Sequence, residues 1–269
     1  MSRVSRESVE DALFRAGYWL LFAVIMLPIV VVFVTSFQQG EYLTFPPSEY
    51  SLRWYGEFFA SEEWLSAVVD SATIGIGASV LATVLGVTGS LAVQRSDSVL
   101  TRVLPPIILL PLLLPPVVIG LTLLIYVNRI GLTSAYLNIV VAHTLWATPL
   151  VFFVMQSVFA RFDWDLRDAG MDLGGRPSRV FYHVVLPNVR SGVVISAVIA
   201  FIVSLQEFIM ALFLKSYYVK TVPVLAWTSL ESSLTPMVSV VSAFLVLASI
   251  VGVLVAAAVM NMEWLAKQL

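Results

Sequence analysis

The 269-residue chain contains no cysteine, which excludes disulfide frameworks, thiolate catalysis and Cys-ligated metal sites. Charge is scarce as well: Asp, Glu, Lys and Arg make up 12% of the residues, against about 25% in a soluble domain. Lysine occurs only at Lys215, Lys220 and Lys267, never in the G-x-x-x-x-G-K-[ST] context that cradles nucleotide phosphates. With a net charge of −2 and no low-complexity tail, the chain presents no basic field to nucleic acid. What it has in abundance is apolar surface. Hydrophobic residues make up 59% of the sequence and the mean hydropathy is +0.93, the composition of a membrane protein.

A membrane-crossing helix needs about 20 mostly apolar residues. Six stretches qualify, near 17–37, 67–93, 103–127, 135–160, 191–214 and 236–260, so the reading is an all-α membrane protein with six transmembrane helices in one domain over 1–269. The first stretch is longer than the h-region of a signal peptide and has no small-x-small site after it, so it is expected to remain as an anchor. Basic residues in short loops set the orientation. With both termini cytoplasmic, Arg3, Arg6, Arg15, Arg95, Arg102, Arg161, Arg167, Arg176, Arg179, Arg190 and Lys267 lie inside, and only Arg53, Arg129, Lys215 and Lys220 outside. The two histidines, His143 and His183, then fall on opposite sides of a span and cannot share a metal.

The largest cytoplasmic loop is 161–190, containing "RDAGMDLGGRPSRVFYHVVLPNVR". Asp163 and Asp165 precede a short helical run, and the Gly174-Gly175 pair is suited to ending it in a left-handed turn. Pro177 suits the first turn of a second helix, and Pro187 predicts a break before the fifth span. Val180, Phe181, Val184 and Val185 give that second helix an apolar face for docking on neighbouring spans, with the glycine turn as the exposed tip.

These residues resemble the cytoplasmic signature of permease subunits of binding-protein-dependent ABC importers. There an acid-Ala-Ala triplet is followed after three residues by glycine, then nine residues, an aliphatic, one residue and Leu-Pro. Asp168, Ala169, Gly174, Val184, Leu186 and Pro187 fall on that spacing. Aspartate replaces the usual glutamate, and Gly170 replaces the second alanine, loosening the helix by roughly 0.5–1 kcal/mol. The resemblance implies a type I ABC importer permease (MetI-like) fold with a coupling helix that sits in a groove of a separate ATPase. Gly174 would permit a close turn there and Asp168 would pair with a basic residue. It also implies no cofactor on this chain, ATP and Mg being bound by partner ATPase subunits. The other implied partners are a second permease subunit, an extracytoplasmic substrate-binding protein and membrane lipid, in a bacterial or archaeal inner (plasma) membrane. "FPPSEYSLRWYGEFF", "SLQEF" and "TVPVLAWTSL" further resemble the second permease of spermidine/putrescine systems. Permeases for phosphonates, ferric iron, thiamine and anions share much of this wording.

The spans carry their own signals. Ser71, Gly75, Ser79, Ala82, Gly86 and Ser90 recur every three to four residues, a pattern that lets helices approach closely. Pro105, Pro106, Pro111, Pro115, Pro116 and Gly120 interrupt the third span, as in helices that line a path or merely kink. Glu207 is read as the only acid inside a span, hence a candidate stop for a cationic substrate or a structural hydrogen-bond acceptor. Tyr126, Asn128 and Trp227 are polar-tipped residues near the outer span ends, where a path role competes with an ordinary aromatic belt. The aromatic segment 40–65 is expected to form an interfacial helix on the outer leaflet. A self-contained secondary transporter would require paired intramembrane charges or inverted repeats, and a membrane-embedded enzyme a cluster of His, Asp or Glu; neither pattern is visible.

Overall fold

The computed structural model describes residues 2–96, 98–232 and 234–266, with side chains described from residue 11 to 259. The Lys267 assigned to the cytoplasmic side lies outside the described residues, as do the side chains of Arg3 and Arg6. All regular structure among the described residues is helical: α1 (Ser2–Ser36), α2 (Arg53–Ala60), α3 (Glu62–Arg95), α4 (Val99–Leu113), α5 (Pro116–Arg129), α6 (Ala135–Ala160), α7 (Trp164–Asp172), α8 (Pro177–Val180), α9 (Leu186–Gln206), α10 (Ile209–Leu214), α11 (Val222–Ser232) and α12 (Met237–Ala266). Among the described residues, five helical stretches are long and apolar enough to cross a membrane: Asp11–Ser36, Glu62–Arg95, Ala135–Ala160, Pro177–Gln206 and Met237–Val259. Helices α4 and α5 pass the same test only as a pair, the geometry of a broken span or of a re-entrant loop.

That bent pair corrects the expectation of one unbroken span over 103–127. The chain bends by 97° between Leu113 and Pro116, because Pro115 and Pro116 offer no N–H to the preceding turn and hold Leu114 and Pro115 extended. A second correction concerns Pro187, which starts no break. Residues Phe181–Val185 form a π-turn, with the Leu186 amide reaching back to the Phe181 carbonyl, and this widened turn absorbs the proline ring so that α8 and α9 run on as one helix.

The chain groups into two compact units. One comprises residues 1–62 and 228–244. Within it Trp54 and Phe58 of α2 are buried; the Trp54 indole donates to the Gly40 carbonyl at 3.1 Å, and Phe58 packs against Phe244 with ring centroids 5.6 Å apart. The aromatic helix expected to lie on a lipid surface therefore turns its two central rings inward, leaving Phe59 and Tyr50 exposed.

The other unit comprises 63–227 and 245–269. Its core follows the small-residue stripe: Ser71, Gly75, Ser79, Ala82, Gly86 and Ser90 are all buried. At Gly86 a Cβ would lie 2.6 Å from Val151 Cγ1 and 2.9 Å from the Phe152 nitrogen, so only glycine lets α3 and α6 approach this closely. Ala82, Val151, Met155, Phe159, Val185 and Val189 form one apolar cluster, and Ile74, Ile119, Ile139, Met210 and Leu214 a second.

Candidate functional site

Among the described residues of the unit 63–227 and 245–269, three polar clusters adjoin the predicted site residues. The first is the junction of α9 and α10. Glu207 is not inside a continuous helix; it follows Gln206 as the non-helical residue that ends α9. Its Oε1 accepts from the Met210 amide at 3.0 Å and its Oε2 from the Ala211 amide at 3.1 Å, so the carboxylate caps the N-terminus of α10. The exposed first-turn amides of a helix need such acceptors, most of all where water is absent. His143 on α6 is buried behind it, its Nε2 3.2 Å from Glu207 Oε2 but off the hydrogen-bond axis. The other ring nitrogen, Nδ1, lies 2.7 Å from Ser204 Oγ on α9. A buried imidazole and a buried carboxylate thus hold α6, α9 and α10 at one point. Sequence reading weighed His143 only as a metal ligand shared with His183 and excluded that; the signal for its role was that lone titratable residues in apolar helices must find partners.

The second cluster was missed. Asp70 lies within the stretch read as the second span, so Glu207 is not the only acid there, and it is 3% exposed. It accepts from the Tyr136 hydroxyl through Oδ1 and from the Lys220 amide through Oδ2 at 3.1 Å. The neighbouring Ser71 hydroxyl accepts from the Val222 amide at 2.8 Å. Together they tie the segment that leads into α11 to the third turn of α3 and the first turn of α6. Trp227 is half-exposed and packs against Phe208, beside Glu207, with centroids 5.3 Å apart. Tyr126 is exposed on α5. Of the sequence-predicted path residues, the structure places Trp227 beside Glu207 through Phe208.

The third place is the loop 161–190. The Asp163 side chain accepts from the Asp165 amide at 3.1 Å and caps α7. After α7 the chain turns at Gly174, whose φ of +83° lies in the left-handed region that favours glycine, with nothing within 4 Å of where a Cβ would stand. Pro177 opens α8, and Val180 and Val185 are buried as the apolar face predicts. Leu173, just before the turn, is 90% exposed, an apolar side chain held out at the loop tip. Asp168 is paired within the chain: Arg167 Nη1 donates to its Oδ1 at 2.5 Å and Arg95 of α3 lies 3.7 Å away. Ala169 sits mid-helix in α7, while Leu186 and Pro187 lie in the continuous helix beyond the π-turn. Among the described residues no group of three His, Asp or Glu side chains could hold a metal.

Comparison with known proteins places this geometry. The chain is 29% identical over 227 residues to the putrescine transport system permease protein PotI of Escherichia coli, covering 82% of this chain and 79% of that one. It is 22% identical over 237 residues to the spermidine/putrescine transport system permease protein PotC of Haemophilus influenzae, with coverage of 88% and 91%. It is also 36% identical over 155 residues to the molybdenum transport system permease protein ModB of Mycobacterium tuberculosis, covering 53% and 59%. A crystal structure of a bacterial alginate ABC transporter, in complex with an alginate pentasaccharide-bound periplasmic protein, superposes with a TM-score of 0.71 at 11% identity, covering 97% of this chain and 95% of that one. Residues 78–263 match the family described as "Binding-protein-dependent transport system inner membrane component". The chain belongs to that family and is a multi-pass membrane permease of an ABC importer.

Proposed function

We propose that this permease carries polyamines, with putrescine and spermidine as substrates, and that it works with partner subunits: a second permease, two ATPases that bind ATP and Mg, and an extracytoplasmic binding protein. The observation that carries the substrate is the similarity to a putrescine permease over 82% of the chain. Both termini are then cytoplasmic, by the excess of arginine on that side. The loop 161–190 enters a groove of the ATPase. Leu173 is the apolar anchor, Gly174 the tight turn, and Asp168 exchanges its pairing with Arg167 for a basic residue of the ATPase. Ala169 keeps α7 slim against the groove wall, while Leu186 and Pro187 carry movement of the loop into α9 through the π-turn.

A second reading is an oxyanion substrate. It is favoured by the 36% identity over 155 residues to a molybdenum transport permease. The deciding experiment is ATP hydrolysis by the chain reconstituted in lipid with its co-purifying partners, comparing putrescine, spermidine, molybdate and a phosphonate, each with the binding protein. Stimulation by a polyamine alone is the expected result; stimulation by molybdate alone replaces that reading. Gly174→Arg, placed in open space at a cost of about 1–2 kcal/mol for the left-handed backbone, is expected to leave the chain folded and to abolish uptake. Normal uptake by that variant would remove the loop from the coupling role.

A further inference from the structure

We propose that the pocket between the C-terminal end of α3 and the loop helices binds the phosphodiester headgroup of an anionic phospholipid. The pocket measures about 400 Å³ and is open at the protein surface. Leu91, Ala92 and Phe181 form an apolar wall, Trp164 a flat side, and Arg95 and Arg167 supply two guanidinium groups. The proposal rests on these residues and on the membrane location of the chain, and not on the identity of the substrate.

Charge favours an anion. One carboxylate, Asp168, faces the two guanidiniums, which leaves a net positive charge in the pocket. Arg167 supplies the close contact to Asp168 at 2.5 Å, whereas Arg95 stands 3.7 Å away, beyond hydrogen-bond length. Arg95 therefore retains donors for another acceptor, and its guanidinium is steadied 4.9 Å over the Trp164 ring. A guanidinium is also the side chain best matched to a phosphate's paired oxygens.

Place favours a lipid as the source of that phosphate. The pocket lies where a 34-residue apolar helix ends in Arg95 and the polar loop begins, the depth at which arginine and tryptophan meet headgroups. Basic pockets between transmembrane helices recognise anionic headgroups in this way. A free phosphate shares the charge but makes no use of the wall formed by Leu91, Ala92 and Phe181, against which the first carbons of an acyl chain fit.

The test is native mass spectrometry on the protein purified with the partners that accompany it, delipidated and then titrated with phosphatidylglycerol, phosphatidylcholine or inorganic phosphate. One phosphatidylglycerol per chain is expected to bind well ahead of phosphatidylcholine. Arg95→Gln with Arg167→Gln is expected to weaken it about 25-fold, about fivefold per basic residue. Ala92→Trp fills the apolar wall and keeps both arginines, so it separates pocket occupancy from any loosening of α7; it too is expected to lose the lipid. Equal binding of the two lipids, or phosphatidylglycerol retained by both variants, overturns the proposal. So does inorganic phosphate that displaces the lipid and binds the Ala92→Trp protein unchanged, which assigns the pocket to a free anion.

Discussion

Two interruptions of the apolar helices are built in opposite ways. Between α4 and α5 the chain turns by 97° through Leu114 and Pro115, with prolines on both sides, and the interruption is written into the backbone. Between α9 and α10 neither proline nor glycine is present in "SLQEFIM"; the helix stops because the Glu207 carboxylate takes over the Met210 and Ala211 amides. The first break persists whatever surrounds it, since a missing N–H cannot be supplied by a neighbour. The second depends on one side chain and on the imidazole behind it. Sensitivity to substitution should follow that difference.

The largest effect is expected at Glu207. Glu207→Ala strips the acceptors from two buried amides and leaves His143 Nε2 facing no carboxylate. Each buried amide left unpaired costs about 1–3 kcal/mol, so a loss of about 3 kcal/mol is expected, read as a fall of about 6–12 °C in the midpoint of thermal unfolding in detergent. Glu207→Gln keeps the shape and one carbonyl oxygen, and should recover about half of that loss. If the alanine variant melts with the parent, the carboxylate does not hold the junction and is free for a substrate role.

His143 is expected to come next. It is 1% exposed and its Nδ1 lies 2.7 Å from Ser204 Oγ. His143→Ala removes that bond and opens a cavity, at a cost of about 2 kcal/mol, while the amide bonds of Glu207 to α10 remain. Combining it with Glu207→Ala should cost less than the two losses added, because the two side chains act on one junction. Strict additivity in that double-mutant cycle would show that the 3.2 Å approach carries no coupling.

The same contrast explains what sequence reading reached. The α7 cap at Asp163, the left-handed turn at Gly174 and the start of α8 at Pro177 were legible, because each depends on residues within a few positions of one another. The buried stripe on α3 was legible from its spacing. His143 with Glu207 was not, since 64 residues separate two side chains with no shared motif. Asp70 was overlooked among the apolar residues of its span, and its partners Tyr136 and Lys220 are 66 and 150 residues away. Pro187 was misread for a related reason: a proline's effect depends on whether the preceding turn can widen, and here it widens into a π-turn. Local chemistry announces itself in sequence, whereas a contact made by folding does not.

The smallest effect on stability is expected at the proline break, where the comparison can be tested from its other side. Pro115→Ala should change stability by less than about 1 kcal/mol, because alanine adopts φ −57° and ψ 135° without strain and Pro116 still begins α5. Pro115→Ala with Pro116→Ala returns both missing N–H groups, so α4 and α5 can join into one helix. The absence of cysteine makes the consequence measurable, since Val99→Cys and Asn128→Cys create the two sole labelling sites on exposed positions at the far ends. At 1.5 Å per residue, straightening a 97° bend lengthens the distance between two spin labels by about 15 Å. An unchanged distance would mean that packing of α5 against α10 through Gly120 and Met210, and not the prolines, sets the bend, and the two interruptions would then be of one kind.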